Sequence, residues 1–82
     1  MQPGWYTARS KNTHQLPIVY LGIAKLDLNP PLDPSVRVDT SKADFVRWHT
    51  SIIELENFLE YFELTNRIAN KGGKHFLEPV CP

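Results

Sequence analysis

The sequence predicts an α+β fold, a small antiparallel β-sheet of about four to five short strands packed against one long α-helix in the C-terminal half. Three observations carry that expectation. Residues 1–50 hold short aromatic and β-branched runs separated by Pro, Gly and polar clusters. Residues 51–72 form the one long stretch with apolar side chains at helical spacing, and no Pro or Gly falls between 52 and 71. The whole chain is 82 residues, and a chain of that size buries only about 60% of its unfolded surface, enough for one helix on one sheet in a single domain, 1–82.

Pro3-Gly4 is a turn signal, after which Trp5-Tyr6-Thr7-Ala8-Arg9 alternates as a strand. A polar loop over residues 10–15 leads to a second β segment, Leu16 to Leu28, with Pro17 at its start. These two strands are expected to pair as a hairpin, since sequential strands usually do. From Ile18 to Ile23 both faces are apolar apart from Gly22, which predicts a central strand covered on both sides, with Gly22 as a bend or bulge.

Residues 29–35, with Pro30, Pro31 and Pro34, read as a stiff loop. The spacing of Pro31 and Pro34 also matches a polyproline ligand, a weak signal by itself. Val36 to Asp39 alternates and predicts a short strand, with Asp44 to Trp48 returning beside it. Ser41 and Asp44 also resemble a helix start, so 41–48 reads either as strand or as a short helical piece.

Ser51 and Glu54 have the spacing of a capping box, with Thr50 a rival cap, and Gly72-Gly73 can close a helix in the left-handed conformation. A helix over 51–72 places Leu55, Phe58, Leu59, Phe62 and Ala69 on a core-facing stripe, with Ile52 at its edge. Glu56, Glu60, Glu63 and Arg67 form a polar strip, with Glu63 and Arg67 at a favourable spacing. Ile53, Tyr61, Leu64 and Ile68 form a second apolar group. It is either covered by the same chain or left open to a partner. Residues 74–80 read as a final edge strand ended by Pro79.

Little in the chain suggests catalysis. His14, His49, His75 and Cys81 lack close zinc spacings, so no metal and no cofactor is expected. Cys81, the single cysteine, excludes an internal disulfide and reads as an incidental thiol. His49 reads as a polar turn residue, and Glu56 with Glu60 as a solvated face. Gly72-Gly73 follows the predicted helix, where a phosphate cradle would precede it. The N-terminus lacks a signal pattern and no segment is long and apolar enough to span a bilayer, so a reducing, cytoplasmic setting is expected.

Nine basic side chains balance nine acidic ones, which argues against a polyanion partner. Residues 1–50 carry six basic and four acidic groups, and residues 51–82 three and five. The expected function is a small non-enzymatic protein–protein interaction module: an inhibitor, an adaptor or a self-associating subunit. Its helix face, Ile53, Tyr61, Leu64 and Ile68 flanked by Glu56, Glu60, Glu63 and Arg67, would meet another protein or a second copy of the chain. The alternative is a β-rich domain binding single-stranded nucleic acid through Trp5, Arg9, Arg37, Arg47 and Trp48 on a sheet face.

Overall fold

The structure, a computed structural model, describes residues 1–80; Cys81, read above as an incidental thiol, lies outside them. Six strands and two short helices follow in the order β1 (Gly4–Ser10), β2 (Ile18–Gly22), α1 (Ala24–Asp27), β3 (Phe45–Trp48), β4 (Ser51–Glu54), α2 (Leu55–Tyr61), β5 (Phe62–Lys71) and β6 (Lys74–Pro79). The strands make one sheet in the order β4-β3-β2-β1-β5-β6, antiparallel throughout.

This overturns the predicted architecture of one long helix on a small sheet. Only Leu55–Tyr61 of the 51–72 stretch is helical, and both flanks are strands. The reason lies in residues that fit two periods. Ile52-Ile53 is β-branched and prefers extended backbone, so Ser51 and Glu54 become the ends of β4, and the helix begins at Leu55 without a side-chain cap. Beyond Tyr61 the chain carries Thr65, Asn66, Ile68 and Asn70, all poorer helix formers than Leu or Ala. Gly72 (φ 61°) and Gly73 (φ 81°) both lie in the left-handed region. They form the two-residue turn that joins β5 to β6, with Lys71 opposite Lys74. A glycine pair suited to closing a helix is thus used to close a hairpin.

The N-terminal half also departs from expectation. The β1–β2 hairpin forms, with Trp5 opposite Tyr20 and Thr7 opposite Ile18. The strand expected over 36–39 does not: residues 36–40 are irregular. Asp33 and Asp39 instead hold turns by accepting from the amides of Ser35 and Ser41, each at 2.9 Å. Residues 45–48 are a strand, and its neighbours are β2 and β4. The 16–28 segment is strand only to Gly22, where the Phe45 ring lies over the glycine; a Cβ there would come within 2.6 Å of Phe45 Cζ.

One face of the sheet, here called inner, carries the core: Tyr6, Ala8, Val19, Leu21 and Val46, closed by Ala43 and Phe58. Helix α2 covers this face. Its single buried residue, Phe58, stacks on Phe62 with ring centroids 4.6 Å apart, and Trp48 meets Phe62 edge-on at 5.2 Å. Leu55 and Leu59 of the predicted stripe pack beside Phe58, as do Ile53 and Leu64 from the strands. In β5 a bulge falls between the pairs Thr7–Asn66 and Ala8–Leu64, leaving Thr65 as the extra residue. Two threonines fix it. Their hydroxyl oxygens are 2.7 Å apart, the Thr65 hydroxyl donates to the Thr7 carbonyl at 3.1 Å, and the Asn66 amide donates to Thr7 Oγ1 at 3.1 Å. The bulge shifts the alternation of β5, so Leu64 and Arg67 both face inward while Ile68 faces out.

The molecule is broad and thin, 43 × 33 × 25 Å, with a radius of gyration of 13.7 Å; a compact chain of this length has about 12 Å. Among the described residues no helix is long and apolar enough to cross a membrane.

Candidate functional site: the open sheet face

Among the described residues, no helix crosses the middle of the opposite, outer face of the sheet. The registers set one row of side chains across all six strands: Ile52 opposite Arg47, Arg47 opposite Tyr20, Tyr20 opposite Trp5, and Ile68 opposite Leu77. Tyr6 opposite Arg67 puts Ile68 beside Trp5 and completes the row. Trp5 (53% exposed), Ile52 (52%) and Leu77 (62%) stand largely in solvent, and Ile18 (59%) adds to them from the next row. The indole of Trp5 meets Tyr20 edge-on at 5.3 Å, the favoured geometry for two aromatic quadrupoles. Trp5, Ile68, Asn70, His75 and Leu77 line a shallow cleft of about 660 Å3 at the β5–β6 end. Central strand β2 was expected to be covered on both sides; the exposure of Ile18 corrects that.

Polar groups rim this apolar row. Arg9 reaches Glu63 across β1 and β5, its Nε donating at 2.6 Å. Arg47 is exposed beside Tyr20. Nearby carboxylates are already employed. Asp44 Oδ1 accepts from the Ala24 amide at 2.8 Å, and Asp27 Oδ2 from the Ile23 amide at 3.0 Å. Among the described residues, no three His, Cys, Asp or Glu side chains are placed to hold a metal ion.

The structure disperses the residues expected to share a helix face, because no helix spans them. Ile53 (β4) and Leu64 (β5) are half-buried against the core, Tyr61 ends α2 in solvent, and Ile68 sits on the outer face. Glu56 and Glu60 are exposed on α2, and Glu63 pairs with Arg9 in place of Arg67. Arg67 turns to the inner face, where its Nη2 donates to the Pro3 carbonyl at 3.3 Å and, among the described residues, its buried Nε has no partner. Of the nucleic-acid set, Trp5, Arg9 and Arg47 share the outer face. Trp48 packs on the inner side against Phe62, and Arg37 lies in the irregular loop. His49 forms the tight β3–β4 turn with φ 55°.

Ile18, Ile52, Asn70, His75 and Leu77 were not among the contact residues expected from the sequence. The readable signal was the two-residue turn, Gly72-Gly73, between two runs that could each be extended. Taking that pair as a hairpin puts residues 62–79 in the sheet and alternate side chains on its outer face.

On the inner side of the same hairpin, Lys71 Nζ donates to Glu78 at 2.9 Å. That hydrogen bond, with the lysine charge and a smaller pull from Arg67, holds the Glu78 carboxyl below its ordinary range. A lowered folded-state value means the contribution is present above the unfolded value and is lost as pH falls through the folded one. The protection of the β6 amides, corrected for the intrinsic pH dependence of exchange, is therefore expected to fall selectively under that acidification. In Lys71→Met the acid-dependent part of that loss should vanish; an unchanged acid response would assign it to another group.

Comparison with protein-family models, with curated proteins and with solved structures gave no match for this chain.

Proposed function

We propose that this protein is a small non-enzymatic module that binds another protein through the open sheet face. The observation that carries the reading is the row Ile52–Arg47–Tyr20–Trp5–Ile68–Leu77, apolar at most of its positions and running across every strand without a covering element. Its accessible surface is 6224 Å2, against about 5,000 Å2 for a compact monomer of this mass. The excess is of the same order as the roughly 800 Å2 that each partner contributes to a standard interface. An aromatic pair, aliphatic neighbours and a rim containing Arg47 and the Arg9–Glu63 pair match the usual layout of an interface core and its rim.

An inhibitor, an adaptor and a self-associating subunit all suit such a surface, and the single cysteine supports a reducing, cytoplasmic setting. The face is less suited to single-stranded nucleic acid. Arg9 is engaged by Glu63, and Ile18, Ile52, Ile68 and Leu77 give bases no ring to stack on.

Affinity capture from the parent cell extract tests this reading, using wild type, Trp5→Ala, Ile68→Glu and Tyr61→Glu. Trp5→Ala is expected to weaken a retained partner by about 2 kcal/mol, roughly 30-fold. Ile68→Glu should abolish retention, and Tyr61→Glu should leave it intact. Loss with Tyr61→Glu alone would move docking to α2. Salt-sensitive binding of a labelled single-stranded oligonucleotide, lost in Trp5→Ala, would favour the nucleic-acid alternative.

A further inference from the structure

Strand β6 is one edge of the sheet, so half of its backbone groups have no neighbouring strand. Which half follows from the hairpin. A two-residue turn closes on a hydrogen-bonded pair, here Lys71 and Lys74, and such pairs recur at every second residue. Ala69 with Phe76 and Arg67 with Glu78 fall in the same phase. So does the Val80 amide, which donates to the Thr65 carbonyl at 3.1 Å. The amides and carbonyls of Lys74, Phe76 and Glu78 are therefore turned toward β5, and those of His75 and Leu77 away from the sheet. Pro79 has no N–H to offer and bounds the edge.

We infer that this edge pairs with the β6 of a second copy of the chain, antiparallel and centred on Phe76. In that register His75 faces Leu77 of the second copy and Leu77 faces its His75, so two residues from each chain exchange four backbone hydrogen bonds. Phe76 faces Phe76 on the inner side, and Lys74 faces Glu78 at both ends. Charge selects the register. Moving the centre to His75 or Leu77 keeps each face matched, but sets Lys74 or Glu78 against Phe76 and loses both Lys74–Glu78 pairs. Edge charges normally discourage strand addition; here they reject other registers and fit this one. The side chains involved, at 74, 76 and 78, lie on the inner side, so the pairing goes beyond the open-face reading and stands or falls separately from it. A two-fold axis normal to the sheet keeps both outer faces on one side and joins them into a continuous surface.

The contact is small and the dimer weak, so it is measured by sedimentation from about 10 µM to about 1 mM. Lys74→Glu should weaken association on the order of tenfold by setting Glu against Glu. Lys74→Glu/Glu78→Lys should restore it, with thermal melts confirming that each variant is folded. In a Cys81→Ser background, Phe76→Cys should cross-link readily, because directly opposed positions lie within disulfide reach. His75→Cys, displaced by two residues from its symmetry mate, should not. A monomer across the whole range overturns the pairing. So does a dimer that ignores both charge variants, one that cross-links equally at 75 and 76, or a monomer whose β6 edge takes up an unrelated extended peptide.

Discussion

Phe58→Ala is expected to lower the unfolding free energy by about 3–5 kcal/mol, the usual loss for a buried aromatic cut back to alanine. Phe58 is 1% exposed and is the only buried residue of α2. Its ring stacks on Phe62, which in turn meets Trp48. Removing it leaves a void where helix and sheet join and takes away the main contact that holds α2 down. An 82-residue domain has roughly 4–12 kcal/mol of total stability, so this one truncation can consume most of it. Urea unfolding followed by tryptophan fluorescence measures the loss. Tyr61→Ala, three residues along the same helix but 57% exposed, should change stability by less than about 0.5 kcal/mol. If the two variants lose similar amounts, Phe58 is not the anchor and the inner face is closed some other way.

Gly22→Ala is expected to cost up to about 3 kcal/mol, an overpacking effect produced by a single added carbon. That carbon would lie 2.6 Å from Phe45 Cζ, 2.7 Å from Phe45 Cε1 and 2.6 Å from Asp27 Oδ2. The side chain of Phe45 is 3% exposed and has little room to retreat. Asp27 is held by the Ile23 amide, so pushing it away also loosens α1. The φ of Gly22 is not in the left-handed region, which makes the cost steric and separable by a double-mutant cycle. In a Phe45→Leu background the two nearest ring carbons are gone, and Gly22→Ala should be much cheaper. An equal cost in both backgrounds would show that Phe45 is not what excludes the side chain.

These positions also show why part of the fold was legible and part was not. Strand β1, its hairpin with β2 and the terminal edge strand were readable from local patterns, whereas 45–48 read either as strand or as a helical piece and is strand. Turn residues and alternation over a few positions left the former segments few other forms. The stretch from Ser51 to Lys71 was different. Leu55, Phe58, Leu59 and Phe62 do fit one helical stripe, and three of them lie on α2. Extending that stripe to Ala69, and setting Ile53, Tyr61, Leu64 and Ile68 beside it as a second apolar group, required the helical period to continue past Tyr61, where the chain turns extended. The predicted partner-binding set inherited the error. Ile53, Leu64 and Ile68 lie on strands, two facing the core and one facing out.

The candidate site was less legible than the fold. Trp5 and Tyr20 stood out as strand aromatics, yet their place in a row with Ile52, Ile68 and Leu77 depends on five strand registers at once. A shift of one residue in any register would send that strand's side chains to the other face. The bulge at Thr65 makes such a shift within β5 itself, and no pattern in the sequence announces it.

By itself the sequence determined local matters: a neutral chain with one cysteine, a β-rich first half, the turn at Gly72-Gly73 in left-handed backbone, and the apolar residues available for burial. Those follow from side-chain chemistry and from steric limits within a few residues. Only the tertiary structure decided that residues 62–71 are strand, which face each apolar residue takes, and that, among the described residues, most of one face of the sheet is left without a covering element. Helical and extended backbone can both satisfy the same short apolar pattern, and the choice is made by hydrogen bonds to β1, more than fifty residues away in the chain.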